Sequence, residues 1–284
     1  MLRAPLLFLA VALVAVGCKP GQEVVQFPAR PKHYQTVASL NPGATEVVGS
    51  LAYQLKLVGR TAACDFPPSV TSAPVVAQVK PDYEKLKAQS PSLVVYDVNL
   101  FSADDIAQIK ALGMDVFEFK ASTVEEFADN VKQFGSLVGS EIEASLYADK
   151  MLQERRAAIA VGPKPAPRVA VVMPGKGGEH YIAGTKSFHA DLARSGGGEA
   201  VGPEADRFVP INAEALIKLN PDMIVTIGPP DRLTSDPRLA SMSAIAKGKV
   251  RGLDERMAGR MGYRVDRVIR LVGAAISDMA GASK

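Results

Sequence analysis

The sequence predicts an α/β protein of two Rossmann-like lobes with parallel sheets, joined by a single long backbone helix. The first observation is an internal echo. Glu84-Lys-Leu-Lys-Ala-Gln-Ser-Pro91-Ser-Leu-Val-Val-Tyr96 is repeated in outline 130 residues later by Glu214-Ala-Leu-Ile-Lys-Leu-Asn-Pro221-Asp-Met-Ile-Val-Thr226. In each copy a glutamate opens a short amphipathic helix, a proline stops it, and an apolar run follows with the length of a buried parallel strand. Two copies are too few for a solenoid, so the pattern reads as duplication of a lobe. The second observation is that apolar strand-like runs alternate with helical patterns in both halves, as in parallel α/β architecture. The third is one uninterrupted helical pattern between the halves.

Taken in order, Met1-Leu-Arg3 is a short positive segment, and Pro5 to Val16 is apolar throughout. That run is too short for a permanent membrane span and reads as a secretion signal over 1–17. The small residue before Cys18 fits lipoprotein processing, with Cys18 acylated and residues 18–33 forming a tether without periodicity. A first lobe is expected over 34–139. It comprises a strand at 34–40, the Asn41-Pro-Gly43 turn, a helix from Ala44 or Thr45 to about Leu55, and a strand at 57–60. An irregular Pro-, Ser- and Thr-rich stretch to Lys80, the first repeat copy, a helix at 103–112 and a strand at 115–119 complete it.

Ser122-Thr-Val-Glu125 and Ser140-Glu-Ile-Glu143 both fit the capping-box pattern and predict two helices. The second, over 140–161, has no internal Pro or Gly and would be about 30 Å long. Gly162-Pro-Lys-Pro-Ala-Pro167 ends it. The second lobe, 162–284, restarts with a strand at 168–173, a turn at 174–178 and a helix at 187–195 that ends at Gly196-Gly-Gly198. One helix as the only bridge predicts small lobe movements.

Composition bounds the function. The chain has 284 residues, 47% of them hydrophobic, which supplies a core for two lobes. A net charge of +3 is too small and too evenly spread for nucleic-acid binding. With Cys18 acylated, Cys64 is left without a partner and reads as a buried, inert thiol.

The segments Val37-Ala-Ser-Leu-Asn-Pro-Gly-Ala-Thr-Glu46, Leu57-Val-Gly-Arg-Thr-Ala-Ala-Cys-Asp-Phe-Pro67, Leu112-Gly-Met-Asp-Val-Phe117, Ser187-Phe-His-Ala-Asp-Leu192 and Gly197-Gly-Glu199 occur in a specific order and spacing. With them the chain resembles the substrate-binding proteins of ABC importers whose lobes share one backbone helix, the group that handles cobalamin, haem and iron–siderophore complexes. The resemblance covers about residues 34–279. It implies an extracytoplasmic receptor, in the periplasm or at the cell surface, that delivers a metal chelate to an ABC permease with its ATPase. It also implies that Glu84 and Glu214 are the two carboxylates that dock on permease arginines. A carboxylate in the first turn of a short helix agrees with that role, being favoured by the helix dipole.

Ligands of α/β lobes sit at the carboxyl ends of strands. On the first lobe this selects Asn41, Asp65, Phe66, Gln78 and 97–99 with Asp97. On the second it selects Lys176, Tyr181, Phe208 and the Arg256-Met-Ala-Gly-Arg260 loop. By resemblance, Phe66, Tyr181 and Phe208 align with aromatic positions that flank a corrin ring. The chain has no Trp, and Gln78 and Asp97 stand where cobalamin-binding members carry indoles. Arg256 and Arg260 suit a carboxylate, phosphate or catecholate-type anion.

The three histidines, His33, His180 and His189, show no metal-ligand spacing, so no bare-metal site of the protein's own and no cofactor are expected. His180 or Tyr181 is the candidate axial ligand to a haem iron or cobalt, and His189 is expected to face solvent. Gly175-Lys-Gly-Gly178 fits neither phosphate-binding fingerprint, and no nucleophile–base motif occurs, so an enzyme is not expected. The alternative reading is a free-standing chelate scavenger or sensor, or a receptor for a bare metal ion.

Overall fold

The computed structural model describes residues 33–97 and 100–281. The signal segment, Cys18, the tether to residue 32 and Asn99 lie outside them. The first lobe is built from β1 (Thr36–Ser39), α1 (Pro42–Leu51), β2 (Lys56–Thr61), β3 (Val75–Ala77), α2 (Tyr83–Gln89), β4 (Leu93–Tyr96), α3 (Ala103–Ala111) and β5 (Asp115–Glu118). Its sheet runs β3-β2-β1-β4-β5, parallel throughout. Helices cover both faces, so Leu93, Val94 and Val95 are all buried, which is why β4 reads as a continuous apolar run. The strand order reverses between β1 and β4, and the crevice that opens there at the strand ends is the natural ligand position of such a sheet.

Two helices follow, α4 (Val124–Val138) and the long α5 (Glu141–Val161). The second lobe comprises β6 (Arg168–Pro174), β7 (His180–Ala183), α6 (Phe188–Ser195), β8 (Glu199–Ala200), β9 (Phe208–Ile211), α7 (Ala213–Leu219) and β10 (Met223–Ile227). It continues with α8 (Asp231–Thr234), α9 (Ser243–Ala246), β11 (Val250–Leu253), α10 (Glu255–Ala258) and α11 (Val265–Gly281). The expectation of parallel strands holds for β6, β10 and β11. By contrast β7 pairs antiparallel with β6, and β9, which follows α6 and β8 in the chain, pairs antiparallel with β7, extending the sheet on the β6 edge. The α/β class stands, with a mixed second sheet. A third strand, β3, lies within the stretch read from sequence as irregular.

The echo in the sequence is an echo in space. Asp82 and Asn212 cap α2 and α7, each accepting from the backbone N–H three residues on. Ser90 and Asn220 end the two helices in the left-handed region, at φ 45° and 44°. Each is followed by a proline that cannot continue the helix, then by the buried strand. The capping box expected at Ser122 is displaced by one residue. Thr123 is the cap, accepting from Glu126 N at 3.1 Å, while Glu126 accepts from Ser122 N at 2.7 Å. The box expected at Ser140 does not form, since Ser140 makes no side-chain cap bond.

The lobes share one hydrophobic core. Phe127 and Val131 of α4, Tyr147 and Met151 of α5, and Ile269 and Ile276 of α11 belong to a single buried cluster. A side chain at Gly135 would overlap Ala144 Cβ, so that glycine lets α4 and α5 pack in close contact. Asp191 of the second lobe is buried and accepts from Val124 N at 2.9 Å, so a carboxylate of one lobe caps the N-terminus of a helix of the other. Arg155 on α5 joins them, 2.8 Å from Glu125 and 3.6 Å from Asp191.

Candidate functional site

A cleft of about 390 Å³ lies between the lobes. On the first lobe it is lined by Asn41, Pro42 and Gly43 after β1, by Asp97 and Leu100 after β4, and by Ala121; the first two groups are the strand ends at the reversal point. Asn41 has a local task as well. Its Oδ1 accepts from Ala44 N at 2.7 Å to cap α1, which turns its Nδ2 toward Asp97 Oδ2 at 3.2 Å. The cap thereby fixes the polar edge of the crevice.

The second lobe supplies the facing wall from the start of α6 (Ser187, Phe188, His189), the start of β9 (Asp206, Arg207, Phe208) and the segment Gly259–Met261. His189 and Phe208 lie against each other, ring centroids 4.8 Å apart. The imidazole Nε2 is 3.1 Å from Ala258 O, and burial lowers its pKa to about 4, so the ring is neutral at physiological pH. The expectation that His189 faces solvent is therefore corrected: the lobe packing turns the first turn of α6 into the cleft.

One end of the cleft is closed by charge. Arg260 Nη1 donates to Asp65 Oδ1 at 2.5 Å and to Glu46 Oε1 at 3.4 Å, while Arg256 lies 3.5 Å from Asp65. The Arg260 bond holds the Asp65 carboxyl below its usual range, with the nearby positive charges of Arg260 and Arg256 adding to it. Arg264 pairs with Glu46 by two bonds, and its guanidinium stacks 4.2 Å over the Phe66 ring. Both partners of each pair come from opposite lobes. A side chain at Gly43 would collide with the Met261 carbonyl, so backbone meets backbone beside these pairs.

Of the ligand-binding candidates, the structure brings Asn41, Asp97, Phe208 and Arg260 together around the cavity. Asp65 and Arg256 sit at its closed end. Phe66 faces Arg264 there, Gln78 is exposed beyond the end of β3, and Tyr181 is 39% exposed on β7. Lys176 is exposed in the turn after β6. His180 is 1% exposed and lies 3.5 Å from Asp236, inside the second lobe, so it has no route to an axial position in the cleft. Cys64 is buried, accepts from Thr45 Oγ1 at 2.9 Å and lies 3.1 Å from Thr61 Oγ1, which suits an inert thiol. Glu46 and Arg264 were not among the residues singled out from the sequence. The available signal was a lone charge in the otherwise apolar helix Pro42–Leu51.

Glu84 and Glu214 occupy the second position of α2 and α7 and are exposed. Among the described residues neither has an ionic partner.

The chain belongs to the periplasmic binding protein family, whose sequence profile matches residues 37–257. It is a family of binding proteins rather than enzymes. The chain is 25% identical over 245 residues to the ABC transporter substrate-binding lipoprotein YvrC of Bacillus subtilis strain 168, covering 82% of this chain and 77% of that one. Its fold is that of the periplasmic vitamin B12 binding protein BtuF of Vibrio cholerae (TM-score 0.76, 18% identity, 87% of this chain and 98% of that one). It is also that of the periplasmic heme-binding protein BhuT in complex with two hemes (TM-score 0.74, 20% identity, 86% and 98%).

Proposed function

We propose that this protein is the extracytoplasmic receptor of an ABC importer, anchored by lipid on Cys18. It captures a metal chelate in the interlobe cleft, either cobalamin or an iron complex such as haem or a siderophore, and presents it to the permease and its ATPase. The observation that carries the reading is the matched pair Glu84 and Glu214. Two exposed carboxylates, without an ionic partner among the described residues, occupy the same position of the same capped helix in each lobe. A scavenger working without a permease has no use for that match. The names of YvrC, BtuF and BhuT support the transport class and the chelate class of cargo.

The cleft offers the chemistry such a cargo needs: aromatic faces at Phe188 and Phe208, an amide and a carboxylate at Asn41 and Asp97, and a guanidinium at Arg260. Its present volume is at the small end of ligand sites, about 300–1,000 Å³ in general. The largest of these cargoes is accommodated by parting the Arg260–Asp65 contact rather than by swinging the lobes. The test is a calorimetric and absorbance titration of the full chain in mild detergent against cobalamin, haem and ferric siderophores. One-to-one binding of one of them is expected. Failure of all three by folded protein rejects the chelate reading.

A further inference from the structure

We infer that a cationic pocket on the rim of the second lobe, with Lys176 and Arg232 as its open charges, receives a carboxylate side chain of the permease beside the Glu214 contact. The inference rests on the importer reading above and adds a contact of opposite sign to its docking surface. Lys176 lines this pocket and not the cleft.

The turn after β6, Gly175-Lys-Gly-Gly178, and the segment from α8 to Arg238 enclose a hollow of about 550 Å³. Arg238 builds it. Its guanidinium donates to both oxygens of Asp236, at 2.9 and 2.6 Å, and to Gly178 O at 3.1 Å. A side chain at Gly178, where φ is 80°, would strike that guanidinium, so glycine lets the arginine close over the turn. The charge of Arg238 is therefore spent inside the pocket. Lys176 and Arg232 are both exposed, and among the described residues neither has an ionic partner.

Position selects the occupant. Strands β6 and β9 are each antiparallel to β7, so β9 runs parallel to β6 and β10. Helix α7, which follows β9, thus starts at the edge of the sheet where the turn after β6 and α8 after β10 also emerge. The short turn Pro237–Leu239, which contains Arg238, packs against α7. The pocket and Glu214 therefore share one edge of the lobe. Exposed Glu179 and Asp231 adjoin the cations in sequence. Charges of both signs placed side by side suit a protein face with the complementary pattern, and they weaken attraction to a uniformly anionic lipid surface.

The first lobe lacks the pair. Its segments after β1 and β4, residues 41–43 and 97–105, contain no lysine or arginine. Glu84 and Glu214 are matched and cannot tell one lobe from the other. Lys176 and Arg232 can, so they fix the sense in which the receptor sits.

The experiment places the photo-crosslinking residue p-benzoylphenylalanine at Ser235, in the pocket lining, and separately at Lys85, beside Glu84, in the full chain within its native cells. Adducts are identified by mass spectrometry. Both positions are expected to join an ABC permease. Lys176→Glu with Arg232→Glu should cut the Ser235 adduct roughly tenfold, with circular dichroism unchanged and the Lys85 adduct still formed. A permease adduct from Lys85 but none from Ser235 overturns the assignment alone, as does a Ser235 adduct indifferent to charge reversal. A Ser235 adduct with phospholipid overturns it in favour of a membrane contact. No permease adduct from either position overturns the docking reading and this assignment with it.

Discussion

Glu46 on α1 and Arg264 ahead of α11 meet across the two lobes, Nε to Oε2 at 3.0 Å and Nη2 to Oε1 at 2.6 Å, with the Glu46 side chain 1% exposed. A carboxylate so deeply buried tolerates its charge only while both arginines face it.

Arg264→Ala should therefore cost about 3 kcal/mol of stability, since Arg260 at 3.4 Å is left as the remaining partner. Urea unfolding measures it. A loss under about 1 kcal/mol would mean that the carboxylate is adequately solvated without the pair.

Asp65 provides an acid-dependent contact. Its folded pKa lies below the ordinary carboxylate value of about 3.9, because Arg260 donates to the charged form. The stability it contributes is complete above that ordinary value and is lost as the pH falls through the depressed folded value. The gap in urea midpoint between wild-type and Asp65→Asn should be constant at neutral pH and close in strong acid. A gap that is the same at every pH contradicts this account.

Glu84→Ala with Glu214→Ala should abolish uptake in cells while leaving chelate affinity intact. Stability should move by no more than about 0.5 kcal/mol, both side chains being exposed and, among the described residues, without an ionic partner. Normal uptake by the double variant would remove the docking role.

Gly43→Ala forces a methyl group against the Met261 carbonyl, where backbone leaves no room to give. A destabilisation of about 1–3 kcal/mol is expected. Small-angle scattering should find little difference between free and chelate-bound wild-type protein, because α4, α5 and α11 share one core. A change of several Å in radius of gyration would contradict it.

What the sequence made legible were features written locally. The duplicated helix–proline–strand unit carries its own cap, left-handed end and proline, and α5 declares itself by the lack of any breaker. What it concealed were features decided by distant partners. The three residues of β3 are a strand because β2 offers them an edge, and nothing within Val75–Ala77 says so. The antiparallel pairing of β7 and then β9 likewise depends on the free edge of β6. Within the site, Asn41 and Asp97 followed from strand ends alone. His189 did not, because the face that the first turn of α6 presents is set by how the lobes pack. Phe66 has the character of a ligand platform, yet Arg264 arrives from nearly two hundred residues away to cover it.

The capping of α4 by Asp191 has a consequence for the history of the chain. A duplicated lobe begins as a self-sufficient unit, but here a helix of the first half ends its hydrogen-bond ladder on a side chain of the second. Severed from each other, each half would expose part of the common core, and one would lose a cap. The two lobes thus depend on each other, for a helix cap and for the cover of their common core.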